Sequence, residues 1–288
     1  MTVFKGLKSV SNTDFAPSVC EKNRYGPRAL QTGIGVITQQ LISGSQQSII
    51  GNPFDITFDV RTDTPNGKDP DSHSPTLRLY HHRLWNKALP GGKPFNLSST
   101  TPGHYLYHVS ELGEFSLSGD GAIPSFATYK KTAQVVSQIP VCEITSFRQL
   151  TYTIGGMMIF PANRIEKKNT INGARGMHPK IADRFDLTLE CIRRHYSCHE
   201  SPLSAVLARY RGFFELFRDF DGYIDFFYLR DLVDDTKIRF FLPFDGFDKS
   251  PLPVSTEMYR RYMRNAEQFI RNRGERMLAG QSCLVEQY

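Results

Sequence analysis

Apolar residues recur at helical spacing through most of the second half of the sequence, so the fold must contain a helical layer. Ser201 suits a helix N-cap and Pro202 suits the first turn. The apolar stripe that follows predicts a helix and comprises Leu203, Val206, Leu207, Tyr210, Phe213, Phe214 and Phe217. Similar stripes predict helices over residues 180–196 and 255–277.

The first half carries strand patterns instead. Residues 54–60 alternate between apolar and polar types, which predicts a strand with one buried face. Residues 105–109 and 114–117 predict a hairpin, and the glycine pair within 151–160 predicts a buried strand with a bulge or a close backbone approach. The other predicted elements are a short helix at 77–85 and strands at 223–229 and 237–242.

Strand and helix patterns do not alternate as βαβ units require, so the sequence predicts an α+β fold. We expect a mixed or antiparallel sheet from the N-terminal half, packed against helices from the C-terminal half. Residues 1–30 show little periodicity, which predicts a loosely ordered lead-in. Residues 31–288 are then expected to form a single α+β domain.

Composition narrows the expected cellular setting. The 5 cysteines are few, scattered and odd in number, which argues against a secreted disulfide framework. The N-terminus lacks the apolar run of an export signal, and no stretch is apolar for long enough to span a membrane. We therefore expect a cytoplasmic protein. The formal net charge of +6 favours a polyanionic partner such as nucleic acid or a nucleotide.

Several strong catalytic motifs are missing from the sequence. It contains no G-x-x-x-x-G-K-[ST], G-x-G-x-x-G, H-E-x-x-H, G-x-S-x-G or C-x-x-C. These absences argue against P-loop, zincin and α/β-hydrolase functions, and the sequence predicts no cofactor.

Histidine, arginine and aromatic residues are concentrated at 78–87 and return on the predicted strand at 105–109. Histidine can act as acid and base near neutral pH, while arginine and lysine can hold phosphate. The predicted catalytic residues are His81, His82 and His108. The predicted phosphate-binding residues are Arg78, Lys87 and Arg175, and the predicted base-stacking residues are Tyr80 and Trp85. The alternative is that these rings are core anchors and the charges form a solvated face.

Arg175 belongs to the glycine-containing segment 172–176, which leads towards the predicted helix at 180–196. A glycine-rich loop before a helix presents backbone N–H groups to an anion, and Arg175 could clamp it. The alternative is that the charged residues of 183–194 form intrahelical ion pairs.

The densest group of candidate metal ligands is Cys191, His195, Cys198 and His199. Sulfur and imidazole suit zinc, but a structural zinc site usually draws its ligands from two separated segments. All four residues come from one predicted helix end, so no metal is predicted.

Six segments between residues 69 and 277 carry a family resemblance. They are DPDSHSPTLRLYHHRLWNKALPGGKPF, YTIGGMMIFPANR, TINGARG, IADRFDLTLECIRRHY, SPLSAVLARYRGFFELFRDFDGYIDFFYLRDLV and EQFIRNRGERM. Together they resemble an uncharacterised bacterial family, a domain of unknown function, over roughly residues 54–277. The resemblance implies a bacterial cytoplasmic protein and brings no activity or catalytic residue with it.

Three functions fit these observations. The first is an effector of the toxin or phage-defence type that acts on nucleic acid or a nucleotide by metal-independent phosphodiester chemistry. The second is an ADP-ribosyltransferase-like enzyme that consumes NAD, with His108 on the nicotinamide ribose and Glu190 or Asp225 as the catalytic acid. The third is a non-catalytic binding or assembly protein. An enzyme of the first kind requires His82, His108 and Arg175 to line one cleft.

Overall fold

The structure, a computed structural model, describes residues 54–98 and 103–285, the last four without their side chains. Its helices and strands in chain order are α1 (Pro70–His73), α2 (Pro75–Trp85), β1 (Lys87–Ala88), β2 (Pro94–Phe95), β3 (Leu106–Ser110), β4 (Gly113–Gly121), α3 (Ala133–Val136), α4 (Val141–Thr151), β5 (Met157–Pro161), α5 (Ile171–Met177), α6 (Phe185–Tyr196), α7 (Ser204–Arg209), α8 (Arg211–Glu215), α9 (Phe220–Phe226), β6 (Val233–Asp234), β7 (Lys237–Ile238) and α10 (Thr256–Val285).

The main sheet is antiparallel and has the strand order β3-β4-β5. The predicted hairpin of 105–109 and 114–117 is confirmed as β3 and β4. Two further antiparallel pairs, β1 with β2 and β6 with β7, have two residues per strand. Small antiparallel sheets in the N-terminal half and a long C-terminal helix confirm the α+β class.

The last helix, α10, packs against α4 and against the 3-10 turn Ile154–Gly156. The two backbones approach so closely that a Cβ on Gly155 would lie 2.2 Å from the carbonyl oxygen of Ile270. The close approach predicted at the glycine pair is therefore confirmed. The strand predicted at 151–160 is limited to β5, because Tyr152 and Thr153 still donate to carbonyls of α4.

Arg273 joins α10 to the sheet from inside the core. It has no exposed surface, and its guanidinium donates to the carbonyl oxygens of Gly155 at 2.9 Å, Met157 at 2.6 Å and Phe227 at 3.1 Å. A fourth contact joins it to the sulfur of Met158 at 3.0 Å. The ion pairs of the described residues include none with Arg273, and burial lowers its pKa to about 9.

The strand predicted at 54–60 is wrong, since these residues form turns. Asp55 Oδ1 accepts the backbone N–H of Thr57 at 2.8 Å, and Asp59 Oδ1 accepts that of Arg61 at 3.0 Å. Aspartate bonds to the backbone two residues on compete with strand pairing, and here they outweigh the alternating pattern.

The strand predicted at 223–229 is also wrong, because this stretch begins inside α9. Asp219 caps that helix by accepting the N–H of Gly222 at 2.7 Å. The strand predicted at 237–242 is reduced to β7.

The predicted helix beginning at Ser201 is divided between α7 and α8 at Tyr210, although its whole apolar stripe is buried as predicted. The predicted phosphate loop 172–176 is instead part of α5, whose cap is Thr170. The helix predicted at 180–196 begins only at Phe185. The helix predicted at 255–277 is confirmed as α10, which continues to Val285.

The described residues belong to one compact unit, Pro53–Tyr288. The predicted lead-in at 1–30 lies outside the described residues, so the domain boundary at residue 31 stays a prediction. None of the helices within 54–98 and 103–285 has the length and apolar content that spanning a membrane requires.

Candidate functional site

Helix α2 places its predicted site residues mainly inside the protein. His81 has no exposed surface, and its Nδ1 accepts a hydrogen bond from Trp85 Nε1–H at 3.0 Å. The Trp85 ring is also buried and packs against Phe226. The Tyr80 hydroxyl accepts the N–H of Asp55 at 2.9 Å. Because neither Tyr80 nor Trp85 exposes a ring face, the base-stacking role predicted for them gains no support from their positions.

The other two predicted catalytic histidines lie on different elements. His82 is half-buried on α2, and its Nδ1 lies 3.2 Å from Asn86 Nδ2. His108 is buried on β3 with its ring stacked 4.2 Å from that of Phe95, and burial lowers its pKa. Its Nδ1–H donates to the carbonyl oxygen of Asn96 at 3.2 Å. His108 is thus enclosed by core rings, and its catalytic role stays a prediction.

The predicted phosphate ligands of α2 and β1 are also turned inwards. Arg78 is buried, and burial lowers its pKa. Lys87 donates to the carbonyl oxygen of Phe226 at 2.6 Å, and its Nζ lies 3.9 Å from the ring centroid of Tyr228. Burial lowers the pKa of Lys87 to about 7, an effect that the aromatic contact opposes because it favours the ammonium. Neither position supports phosphate binding.

Arg175 of α5 is fully buried, and protein groups occupy all of its donor positions. Nη1 lies 2.7 Å from Asp120 Oδ2 and 2.7 Å from Asp183 Oδ1. Nη2 donates to the carbonyl oxygens of Ala122 at 2.6 Å and Asp183 at 2.5 Å, and Nε donates to Thr188 Oγ1 at 3.2 Å. Arg175 therefore gathers carboxyl groups, and its predicted phosphate-binding role gains no support.

Three aspartates from distant parts of the chain meet around this guanidinium, and we call Asp71, Asp120 and Asp183 the acid cluster. Asp120 lies at the end of β4, and the side chain of Asp71 in α1 accepts the N–H of Gly121 at 3.1 Å. Asp120 Oδ2 and Asp183 Oδ1 each lie 2.7 Å from the same nitrogen, Arg175 Nη1. The two carboxyl groups are therefore close neighbours.

The turn that supplies Asp183 has a strained backbone. Ala182 and Asp183 both adopt the left-handed conformation, with φ of 45° and 66°. Two bonds to Arg175 hold the turn, since the N–H of Asp183 donates to the Arg175 carbonyl at 3.0 Å and the Asp183 carbonyl accepts from the guanidinium. Strain of this kind persists where the surroundings fix it and is concentrated at functional sites.

The acid cluster holds more carboxyl groups than cations. Burial, opposed by Arg175 and reinforced by the other two carboxylates, raises the pKa of Asp120 to about 8. Burial and the nearby Asp69 raise the pKa of Asp71 to about 6, and burial also raises the pKa of Asp183. Near neutral pH the coupled pair of Asp71 and Asp120 therefore retains a proton, and the more complete burial of Asp120 favours that residue as its site.

Two buried polar atoms at the acid cluster, Asp71 Oδ1 and His81 Nε2, have no hydrogen-bond partner among the described residues. Since His81 Nδ1 accepts from Trp85, the imidazole proton lies on Nε2, and burial lowers the pKa of His81 to about 3. A Cβ on Gly119 would lie 2.8 Å from the Asp71 carbonyl oxygen and 3.0 Å from His81 Nε2. At Gly121, in contrast, a Cβ would meet no atom within 4 Å, so open space adjoins the backbone that binds Asp71.

This arrangement can donate a proton from Asp120 and accept one at the unpartnered oxygen of Asp71. Within the described parts of the chain, no group of three or more His, Cys, Asp or Glu residues is arranged to hold a metal ion. Sequence reasoning included Asp183 among the helix ion pairs and selected neither Asp71 nor Asp120. The available signal was the run Gly119-Asp120-Gly121, an aspartate between two glycines after a predicted strand.

The other candidate ligand group lies elsewhere. Cys191 is buried, whereas His195, Cys198 and His199 line an open cavity of about 660 Å³. The intrahelical ion pairs considered as the alternative for 183–194 are formed by Glu190, which binds Arg193 at 2.8 Å and Arg194 at 2.7 Å.

Comparison with known proteins gives a family but no activity. No curated protein and no solved structure matches the chain. Residues 54–277 match the model of a family of unknown function, DUF6994. This match covers most of the 288 residues and agrees with the extent of the resemblance found in the sequence. The chain therefore belongs to the family of unknown function DUF6994.

Proposed function

We propose that the protein is an enzyme that acts on a nucleotide or nucleic acid, with Asp120 as general acid and Asp71 as general base. The observation that carries the proposal is that Asp71 and Asp120 are buried in one acid cluster around the Arg175 guanidinium, where burial raises the pKa of both carboxyl groups and raises that of Asp120 further. Environments that separate the pKa values of neighbouring carboxyl groups are a mark of acid–base catalysis. The unpartnered oxygen of Asp71 is buried, and the open space beside Gly121, whose N–H the same carboxyl group accepts, is the side from which we expect a reactant to approach.

The charge of the acid cluster favours one class of reaction. Even with Asp120 protonated, the carboxylates of Asp71 and Asp183 outnumber its single guanidinium, so the acid cluster stabilises positive charge and repels phosphate. Cleavage of a glycosidic bond passes through a transition state with positive charge on the sugar. We therefore propose that the bond broken is the glycosidic bond of a nucleotide unit rather than a phosphodiester bond.

The proposed step uses water as the second reactant. Asp71 takes a proton from water as the water oxygen bonds to the anomeric carbon, and Asp120 gives its proton to the departing base. Half-buried Tyr129 and Tyr152 lie near the acid cluster, since Asp183 and Asp71 respectively add to the rise in pKa that burial causes in them. Arg61 lies over the Tyr152 ring, with its guanidinium carbon 4.4 Å from the ring centroid, so one face of that ring is already occupied.

The test is release of free base from nucleotides, NAD and single-stranded RNA or DNA, measured by chromatography. We expect a bell-shaped pH profile of kcat/KM, because activity requires Asp71 ionised, above about pH 6, and Asp120 protonated, below about pH 8. Asp71→Asn and Asp120→Asn should each lower kcat at least about a hundredfold.

The matched control is Asp248→Asn, because this carboxylate is 97% exposed and pairs with Lys180 at the surface, away from the acid cluster. Full activity of Asp71→Asn, or no released base from any substrate with the unaltered protein, would contradict the proposal.

The two other enzyme hypotheses receive less support from the geometry. Phosphodiester cleavage needs accessible imidazoles, whereas His81 and His108 are buried. In the ADP-ribosyltransferase hypothesis, Glu190 is already engaged by Arg193 and Arg194, and Asp225 pairs with Arg230 at 2.7 Å.

We further propose that the protein acts in the cell as a toxin or in phage defence, through the same reaction. If it holds, expression in a bacterial host stops growth, and Asp120→Asn relieves the arrest. Normal growth with the unaltered protein at the same expression level would contradict it.

A further inference from the structure

A hydrogen-bond donor and an acceptor face the same point beside β4, where α1 and α2 meet the strand. A Cβ on Gly119 would lie 3.0 Å from His81 Nε2 and 2.8 Å from the main-chain carbonyl oxygen of Asp71, so both atoms lie one hydrogen-bond length from that point. They do not bond to each other, since His81 Nε2 has no partner among the described residues. The pair is therefore close enough for one bridging molecule but is not placed for a direct hydrogen bond.

Asp71 offers this place two acceptors. The residue four positions after Asp71 is Pro75, which has no N–H, so no helical donor continues the turn of α1 at the Asp71 carbonyl. The carboxyl group contributes the second acceptor, because Oδ2 accepts the N–H of Gly121 at 3.1 Å while Oδ1 is buried without a partner among the described residues.

His81 offers the complementary donor. Its Nδ1 accepts from Trp85 Nε1–H at 3.0 Å, so the imidazole proton is held on Nε2. Burial lowers the pKa of His81 to about 3, which keeps the ring neutral and Nε2 a donor at the pH of the proposed reaction. A fixed donor that faces two acceptors of one residue, all buried, suits a water molecule, which accepts one hydrogen bond and donates two.

We propose that His81 and Asp71 hold a buried water molecule between them beside Gly119, and that this water is the nucleophile of the proposed glycosidic cleavage. The position of the water follows from the contacts alone, whereas its role rests on the proposed function. Trp85 acts through His81, so it is a positioning residue.

The assignment gives each atom of the water a place in the step. Nε2–H of His81 occupies one lone pair of the water oxygen, and the other lone pair forms the bond to the anomeric carbon. Asp71 Oδ1 takes a proton from the water as the bond between the anomeric carbon and the base breaks. The base leaves with the proton of Asp120, and His81 keeps its own proton throughout.

The water site is tested by a high-resolution crystal structure of the unaltered protein. We expect an ordered water within about 3.2 Å of both His81 Nε2 and an oxygen of Asp71. Nuclear magnetic resonance of the imidazole should show the proton on Nε2 between about pH 5 and about pH 8, and Trp85→Phe should weaken this preference for one tautomer.

The role of the water is tested by the products formed in mixtures of water and methanol. Methanol competes for the anomeric carbon, so the ratio of methyl glycoside to free sugar reports how strongly the site selects water, whatever fraction of the protein is folded. His81→Phe should raise this ratio at least about threefold and lower kcat at least about tenfold, with KM within about twofold. His81→Gln should restore most of the selection, because its amide N–H can replace Nε2–H.

The matched control is His195→Phe, which changes a half-buried histidine on α6 whose ring lies 5.2 Å from that of Phe214. It should leave the product ratio unchanged. The pH profile of His81→Phe should keep both limits, because His81 supplies neither the acid nor the base.

Two results overturn the inference and leave the proposed function intact. One is a crystal structure in which His81 is ordered and no water lies between it and Asp71. The other is base release by His81→Phe with the product ratio of the unaltered protein. Failure of the proposed function is distinct: no base released from any substrate would also remove the nucleophilic role of the water, and the crystal structure would still decide whether the site exists.

Discussion

Two arginines with no exposed surface, Arg175 and Arg273, lie in opposite electrostatic surroundings. Among the described residues, the hydrogen-bond acceptors of Arg273 are carbonyl oxygens and a sulfur, whereas Arg175 contacts two carboxyl groups directly and influences a third. Between these extremes, buried Arg184 pairs one-to-one with Asp186. The Arg273 region shows that this protein can bury a guanidinium without any carboxylate.

It follows that the surplus of carboxyl groups around Arg175 is not needed to bury an arginine. Repulsion among buried carboxyl groups costs stability, and proteins accept such costs mainly where function requires them. The comparison therefore points to the acid cluster, and not to the Arg273 region, as the functional part of the core.

The largest expected effect is that of Arg175→Met, which removes the cation from the acid cluster and so tests the acidic half of the comparison. The change leaves buried carboxylates without their cation and should lower the free energy of unfolding by about 3–5 kcal/mol at neutral pH. The loss should be smaller near pH 5, where the raised pKa values keep the carboxyl groups protonated. Urea denaturation at several pH values measures it, and a loss that does not vary with pH would contradict this account.

A smaller effect is expected for Arg273→Met. The change leaves three buried carbonyls without donors, but it also removes an unpaired buried charge, so the net loss should be about 2 kcal/mol. Between about pH 5 and about pH 7 the loss should stay constant, because carbonyl oxygens do not titrate. Arg264→Met, an exposed position on the same helix, is the control and should change stability by less than about 0.5 kcal/mol.

The effect of Asp120→Asn on the pH dependence of the free energy of unfolding tests whether Asp120 holds the extra proton of the acid cluster. The pKa of Asp120 is higher in the folded protein than the usual aspartate value, so the native state holds the extra proton between about pH 4 and about pH 8. The free energy of unfolding of the unaltered protein should therefore fall as pH rises through this window. In Asp120→Asn the fall should be shallower, with a gain of about 1–2 kcal/mol near pH 8. Parallel curves for the two proteins would show that Asp120 is not the group that holds the proton.

The smallest effect on stability is expected at Gly121. Gly121→Ala adds a methyl group where no atom lies within 4 Å, so stability should change by less than about 0.5 kcal/mol while activity falls because the space beside Asp71 is narrowed. Gly119→Ala is the matched contrast, since its methyl group would meet the Asp71 carbonyl and His81 and should cost about 1–3 kcal/mol. Unchanged activity in Gly121→Ala would show that substrate does not occupy this space.

Elements whose signals are local were predictable from the sequence. The helix predicted at 77–85 corresponds to α2, which starts after Ser74, whose Oγ accepts the N–H of Leu77 at 3.1 Å. Errors arose where side-chain bonds to the backbone outweighed periodicity, as with Asp55 and Asp219. In both stretches the apolar residues are partly or fully buried, but on turns or a helix rather than a strand.

The candidate site was less predictable because it is assembled from distant segments. Arg175 and Asp120 are 55 positions apart, and Asp71 and Gly121 are 50 apart, so no periodicity links them. Arg175 was selected as part of a predicted loop, but it lies in helix α5. Tyr80 and Trp85 were selected because their rings were expected to be exposed, but both rings are buried. Residue type indicated reactive groups, but only tertiary packing determined which of them share an environment.

The contact between Gly155 and α10 limits how this protein can vary. Any side chain at position 155 would overlap the main chain near Ile270, and a main-chain group cannot rotate away as a long side chain can. In a saturation library selected for folded protein, position 155 should therefore return glycine alone. The same contact fixes the position of α10 along the turn Ile154–Gly156, so an insertion or deletion between Ile270 and Arg273 would move the guanidinium away from its three carbonyl acceptors.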